Sequence, residues 1–268
     1  MMLETPQPFI VREECEKAAW QHGYRRVLGE IDGWAAFEST TAQGILWLAA
    51  ASEQGPWYVA INHLGVIAEL ALPSANIAGP GVERYAFPTL AALYAILPRL
   101  YQLAASLPDV PLKSFHHQTA NLPKTTEAER LVVQRIGQNI FRDSLMDYWQ
   151  GRCPLTGIDD SALLRASHII PWSECETDAQ RLDVHNGLLL SALWDAAFDR
   201  TLVTFEDNGT PVFSKSLSNA TREALKWSKP IPLTDQHRSH LLHHRQRFQA
   251  AELETSSTKS ANTVTALD

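Results

Sequence analysis

The sequence predicts an α+β protein in which a small N-terminal α+β module precedes a second domain. Within the first 110 residues, runs of aromatic and aliphatic residues alternate with Gly, Pro, Ser and Thr clusters, as short strands do. After residue 125, a capped helix is followed by the pattern strand, loop, strand, helix. We therefore expect a module at 1–110, a linker at 111–124, a second domain at 125–250 and a disordered tail at 251–268.

Composition indicates a globular protein: 45% of the 268 residues are hydrophobic and 20% are charged. No apolar run approaches the roughly 18 residues that span a bilayer, so we expect no membrane partner. The first residues show no basic region followed by an apolar core, which a secretory signal would have. Three cysteines are too few for a disulfide framework. These features predict a cytoplasmic protein.

Charge is unevenly distributed along the chain, whose net charge is −7. Residues 1–110 hold 6 Lys/Arg and 11 Asp/Glu, a balance of −5, whereas residues 209–250 hold 7 Lys/Arg and 2 Asp/Glu, a balance of +5. A basic surface within an acidic protein remains compatible with phosphate binding. The overall charge therefore does not exclude a nucleic-acid partner.

In the N-terminal module, the pattern predicts two helices and four strands. Pro98 lies inside the second helix, where a missing N–H should produce a kink. The helices are expected at 10–22 and 88–106, and the strands at 34–38, 45–51, 57–61 and 66–70.

The second domain opens with Thr126 and Glu129 in capping-box spacing, which predicts a helix over 127–149. A strand-like run at 163–171 contains His168, and Asn186-Gly187 is a turn into a strand at 188–190. A short helix at 191–199 then carries Asp195 and Asp199 one turn apart. A hairpin with an Asn-Gly turn is expected over 202–214.

A histidine on the first strand, an asparagine at the second strand and an acid on the following helix form an order that resembles the motif of the HNH endonucleases. Their ββα-metal motif is named for these three positions. Further matches over about residues 125–250 resemble the restriction-type branch. They are Arg135-x-Gly137-Gln138-x-x-Phe141-Arg142, Cys153-x-x-Thr156-Gly157, Leu163-Leu164-x-Ala166-Ser167-His168-Ile169-x-Pro171-Trp172, Asn186-Gly187-Leu188-Leu189-Leu190 and Asp195-x-x-Phe198-Asp199.

This resemblance implies a ββα-metal nuclease that hydrolyses DNA phosphodiester bonds with a divalent cation. By similarity, His168 is the general base, Asn186 braces the loop that aims it, and Asp195 is the metal ligand. Histidine suits the base because its ordinary pKa lies near neutrality. A carboxylate suits Mg²⁺, with Mn²⁺ as the alternative.

One residue departs from the family pattern. Many HNH enzymes carry an acidic metal ligand directly before the catalytic histidine, and this chain has Ser167 there. Asp199 or His185 is an alternative contributor to the metal shell. Arg142 and Arg165 are candidate contacts to the substrate backbone. On the C-terminal helix, His237, His240 and His244 indicate a basic surface that packs on the core and touches phosphates.

Three hypotheses about function are compatible with the sequence. The first is a DNA endonuclease related to restriction or defence, acting as a homodimer if it cuts both strands; RNA stays open as a substrate. The second is a non-catalytic nucleic-acid-binding protein on a decayed HNH scaffold. The third is a sensor whose N-terminal module gates the nuclease. Fold analogy alone does not decide between them.

Overall fold

The computed structural model describes residues 3–123 and 125–264. The chain divides into two compact units, Met1–Ser114 and Phe115–Asp268. Both contain helices and strands, so the α+β class predicted from the sequence is confirmed.

The first unit is built on a five-stranded antiparallel sheet with strands in chain order. Its strands are β1 (Arg26–Ile31), β2 (Trp34–Glu38), β3 (Ile45–Ala50), β4 (Trp57–Ile61) and β5 (Glu83–Phe87). Its helices are α1 (Phe9–Gln21), α2 (Leu64–Leu70) and α3 (Leu90–Ser106), followed by α4 (Asp109–Thr119). Trp34, Trp47 and Trp57 are buried, which makes them part of the core of this unit.

One prediction for this part of the chain is wrong. The strand expected at 66–70 is helix α2, because the Nδ1 of His63 accepts a hydrogen bond from the Val66 amide and caps the helix. The segment 111–124, predicted as a linker, contains the boundary between the two units, and its residues up to Thr119 are helical. Pro111 lies in the first turn of α4, where a helix needs no amide donor.

The second unit carries the remaining elements. Its helices are α5 (Glu127–Tyr148), α6 (Asp178–Leu182), α7 (Ala192–Asp199), α8 (Asn219–Ala224) and α9 (Asp235–Val264). Its strands form two antiparallel pairs, β6 (Leu164–His168) with β7 (Gly187–Ser191) and β8 (Val203–Phe205) with β9 (Pro211–Phe213).

Local chemistry explains where these elements begin and turn. The capping box predicted for α5 is present: the Glu129 amide donates to Thr126 Oγ1 at 3.3 Å, and the Thr126 amide donates to Glu129 Oε2 at 2.9 Å. The β8–β9 turn is also as predicted, with the Gly209 amide bonded to the Glu206 carbonyl at 2.9 Å. Gly209 has φ of +81°, which the turn requires and a side chain would strain.

The tail predicted to be disordered at 251–268 is helical in its backbone to Val264, and residues 265–268 lie outside the described part of the chain. The start of this segment is held to the domain, because the Glu252 carboxylate accepts hydrogen bonds from Ser214 Oγ and the Lys215 amide. Within the described residues no single helix is long and apolar enough to cross a membrane. Helices α3 and α4 taken together, bent by 49°, pass that test on length and composition alone.

Candidate active site

The β6–β7 pair and α7 bring the three sequence-predicted elements together. His168 ends β6 and lies opposite Gly187, the first residue of β7. Asn186 directly precedes β7, and α7 begins one residue after the strand ends, with Asp195 in its first turn. The strand, loop, strand and helix order predicted for this segment is therefore present.

The His168 ring is held in one tautomer by the backbone. Its Nε2 lies 2.9 Å from the Arg181 carbonyl oxygen, which can only accept, so Nε2 carries the proton and Nδ1 keeps a free lone pair. Burial lowers the pKa of His168 from 6.5 to about 4, although the bond to the Arg181 carbonyl opposes this shift. The imidazole is therefore neutral at pH 7.

Two aromatic rings fix the plane of this imidazole. Phe141 stacks on it with centroids 3.7 Å apart and planes 16° apart, and Trp172 meets it edge-on at 5.7 Å. Each aromatic ring fits because a glycine lies behind it. A Cβ at Gly187 would lie 2.5 Å from the Phe141 ring, and one at Gly137 would lie 2.4 Å from the Trp172 ring. These contacts give a physical reason for both glycines of the motif.

Asn186 ties together the loop between β6 and β7. Its side chain is fully buried. Oδ1 accepts from the Ile170 amide at 2.8 Å, and Nδ2 donates to the carbonyls of Gln180 at 3.1 Å and Ile170 at 3.3 Å. Gln180 directly precedes Arg181, whose carbonyl holds the His168 ring. The amide thus fixes both ends of the loop on which the histidine depends.

Ser167 and Asp195 are directly bonded. The Ser167 hydroxyl donates to Asp195 Oδ1 at 2.5 Å, which fixes the orientation of the carboxylate. Asp199 follows one turn later on α7. Its side chain reaches the surface but is partly desolvated, and this desolvation together with the charge of Asp195 raises its pKa. A donor set of one or two carboxylates fits Mg²⁺, which keeps several waters and binds substrate phosphates as well.

His168 lines a cleft of about 360 Å³ that also receives side chains from α7 and α9. We call it the His168 cleft; its lining includes Ser167, His168, Trp172, Asp199, His244 and Arg247. The placement of Arg247 there could not be read from the sequence, where it is one of several arginines on a long basic helix. Both ring nitrogens of His244 have hydrogen-bond partners within the domain, which gives this residue a structural role. Its Nε2 donates to the Phe198 carbonyl at 3.0 Å, and its Nδ1 accepts from Thr204 Oγ1 at 3.0 Å.

The two arginines predicted to contact substrate are engaged by the backbone. Arg142 donates to the carbonyls of Leu164 at 2.9 Å and Ser161 at 2.8 Å, so it holds the start of β6. Arg165 is exposed and donates to the Ala162 carbonyl at 2.8 Å. Their contact with substrate stays a prediction, whereas their local structural role follows from these bonds.

A second group of polar residues joins the β6–β7 loop to α9. Asp183 Oδ1 lies 2.9 Å from His185 Nδ1, and Asp183 Oδ2 lies 3.5 Å from His240 Nε2. Burial opposes ionisation of Asp183, but the hydrogen bonds from His185 and His240 outweigh it and lower its pKa. His237 packs against His185 with ring centroids 5.1 Å apart. His185 therefore has a structural partner in Asp183.

Three histidines of this unit share a depressed pKa, with burial as the largest cause in each case. The pKa falls to about 3 for His237 and to about 4 for His168 and His244. We call these the low-pKa histidines. Across the described residues, no three His, Cys, Asp or Glu side chains converge in a geometry that would hold a metal ion by themselves.

Comparison with known proteins agrees with this geometry. Residues 153–206, which contain the β6–β7 pair, α7 and β8, match the sequence model of the HNH endonuclease family. A search of curated proteins found no match to the chain. HNH nucleases act on nucleic acids and generally use a divalent metal. Residues 153–206 of the C-terminal unit are therefore similar to the HNH endonucleases, a family of nucleic-acid hydrolases.

Proposed function

We propose that this chain is a metal-dependent endonuclease that hydrolyses DNA phosphodiester bonds, with His168 as general base and Asp195 as metal ligand. The observation that carries the proposal is the bond from His168 Nε2 to the Arg181 carbonyl. It leaves Nδ1 as the basic nitrogen of a neutral imidazole that lines a cleft beside the Ser167–Asp195 pair.

Hydrolysis requires a base that removes a proton from the attacking water. His168 Nδ1 is the atom that would accept it. As the ring becomes positively charged, the Arg181 carbonyl stays bonded to Nε2–H and stabilises that charge. The stacked Phe141 ring prevents the imidazole from rotating away from the water.

Asp195 is the residue that would hold the cation, and the Ser167 hydroxyl keeps its carboxylate in place. A bound Mg²⁺, or Mn²⁺ in its stead, supplies the positive charge that stabilises the phosphate and the leaving oxygen. Asp199 lines the His168 cleft itself, whereas Asp195 is linked to that cleft through the Ser167 hydroxyl; Asp199 is the second carboxylate proposed for the cation. This sparse donor set favours Mg²⁺ over metals that demand a complete protein shell.

DNA is the proposed substrate, with RNA as the alternative, because a water nucleophile needs no 2′-hydroxyl. Arg247 adds a cation to the cleft, and residues 209–250 carry a balance of +5.

A role in restriction or defence, in the cytoplasm, rests on the resemblance of residues 125–250 to restriction-type HNH proteins. A double-strand cutter with one site per chain would act as a homodimer.

The experiment is plasmid cleavage by the purified chain with Mg²⁺ or Mn²⁺, against EDTA. His168→Ala and Asp195→Ala are the test variants, and Asn208→Ala, in the exposed β8–β9 turn, is the control. We expect cleavage that needs metal and that both test variants abolish while the control retains it. Loss in His168→Ala alone would move the metal ligand to Asp199.

The same assay addresses the two rival functions. A chain that binds DNA but never cuts it, under any metal, would support a decayed scaffold, for which Ser167 in place of an acid is the motivating feature. Cutting that appears only with a methylated or single-stranded DNA would favour a nuclease gated by the N-terminal unit, whereas cutting of RNA alone would make RNA the substrate. Constitutive cutting of plain plasmid would exclude both.

A further inference from the structure

Strand β1 forms one edge of the five-stranded sheet, and every one of its residues is exposed. Val27, Leu28 and Ile31 are 58%, 48% and 57% exposed, which is unusual for large aliphatic side chains of a strand. Within the described residues, its one hydrogen-bonded neighbour strand is β2. An edge with free backbone groups and exposed apolar side chains is a template for pairing with another strand.

The opposite edge of the same sheet is treated differently. There the Ala75 amide donates to the Arg84 carbonyl at 2.7 Å, so the loop before β5 covers part of that strand. The Arg84 guanidinium bonds the Pro80 carbonyl at 3.2 Å and holds the loop in place. The unit thus shields one edge with its own chain and leaves the β1 edge open.

The charges along β1 indicate what fits this edge. Arg25 and Arg26 lie at its start, and Glu30 and Asp32 lie at its end, all of them exposed; Arg26 is already ion-paired with Glu38 of β2 at 2.9 Å, so Arg25 is the main positive charge that the edge offers a partner. In an antiparallel pair of two identical strands, the positive end of each meets the negative end of the other. A parallel pair would place like charges together. The edge is therefore complementary to itself in the orientation that two-fold symmetry requires.

We propose that two copies of this chain associate through antiparallel pairing of their β1 edges. The bulge at Val27–Gly29 limits the regular ladder, so burial of the three aliphatic side chains contributes alongside the backbone bonds. Trp20, 56% exposed and 5.5 Å from the Arg25 guanidinium, extends the apolar surface beside the strand. The acidic balance of this unit disfavours DNA as the occupant of the edge.

Sedimentation equilibrium of the full chain, without DNA or metal, tests this inference independently of nuclease activity. The wild-type chain should form a dimer of twice 29.9 kDa. An acidic-edge variant, Arg25→Glu with Arg26→Glu, and a basic-edge variant, Glu30→Lys with Asp32→Asn, should each weaken self-association at least about tenfold. Asn at position 32 tolerates the φ of +50° that Asp32 adopts.

Mixing the two variants gives the decisive result, because the acidic edge then faces the basic edge. An equimolar mixture should recover the dimer, while the control Glu53→Lys, an exposed charge outside β1, should leave wild-type association intact. Thermal unfolding checks that each variant is folded. A wild-type chain that stays monomeric at about 100 μM overturns the proposal. Variants that dimerise as the wild type does, or a mixture that stays monomeric, also overturn it.

Discussion

Replacement of Asn186 by Ala tests whether the β6–β7 loop is held as the structure indicates. The change removes the acceptor of the Ile170 amide and the donor to the Gln180 carbonyl, in a fully buried position. Each backbone group left without its partner costs about 1–3 kcal/mol. Taken together, the two losses should lower the free energy of loop opening by about 3 kcal/mol.

Hydrogen exchange measured by mass spectrometry on peptides from residues 169–182 reports that opening directly. A loss of about 3 kcal/mol corresponds to exchange roughly 100-fold faster in this loop, with little change in the N-terminal unit. DNA cleavage should fall as well. Gln180 directly precedes Arg181, and the Arg181 carbonyl fixes the tautomer of His168, so opening of the loop should release the histidine ring. Local exchange and activity should therefore change together.

Two variants separate this explanation from general destabilisation. Asn186→Asp keeps an oxygen for the Ile170 amide but turns a second acceptor oxygen toward the carbonyl oxygens of Gln180 and Ile170, so its exchange should be at least as fast as that of Asn186→Ala. Asn208→Ala also removes an Asn Oδ1 that accepts a backbone amide, that of Thr210 at 2.8 Å, but in an exposed turn. Unchanged protection of residues 169–182 in Asn186→Ala, or an equal effect from Asn208→Ala, would refute the reasoning.

Three further predictions follow from the same unit. Arg247→Ala should weaken DNA binding and reduce the salt dependence of binding by about one phosphate contact. Arg152→Ala removes a charge that is paired with Asp159 and should change the affinity and its salt dependence less. Equal effects of the two variants in a salt titration would contradict this. Gly137→Ala should displace Trp172 from the His168 ring and, by overpacking, lower the free energy of unfolding by about 1–3 kcal/mol. A variant with the melting midpoint and the cleavage rate of the wild type would refute this contact. The low-pKa histidines favour the neutral ring when folded, so the stability they give is complete above pH 6.5 and declines as pH falls toward 4. Thermal unfolding across that range should show a falling midpoint, and a flat profile would argue against their burial.

Capping and turn chemistry gave the most accurate sequence predictions, because those signals are local. Thr126 with Glu129 fixed the start of α5, and the Asn-Gly pair fixed the β8–β9 turn. The prediction failed where a local bond outweighed hydrophobic pattern. The run 66–70 looks like a strand, but the His63 side chain caps it as a helix. Strand β1 escaped notice because all its residues are exposed, so it shows no alternation.

The order of His168, Asn186 and Asp195 was readable from the sequence, but the groups that control them were not. The partner of His168 Nε2 is a backbone carbonyl, which leaves no trace in the side-chain pattern. Arg247 reaches the cleft from α9, a long helix far along the chain, and only tertiary packing selects it over the neighbouring arginines. Sequence patterns give the residue types of a site, whereas long-range packing determines their partners.

The departure at Ser167 is consistent with the rest of the proposed site. A carboxylate at this position would face the carboxylate of Asp195 at hydrogen-bond distance, and two like charges that close oppose each other's ionisation. A hydroxyl instead donates to Asp195 and lets the strand and helix pack together whether or not a cation is bound. A cation proposed for this site would have fewer protein ligands and would depend more on waters and on the substrate phosphate. Such a site would bind its metal weakly in the absence of DNA and more tightly when DNA is bound, because the metal and the DNA would each raise the affinity of the protein for the other.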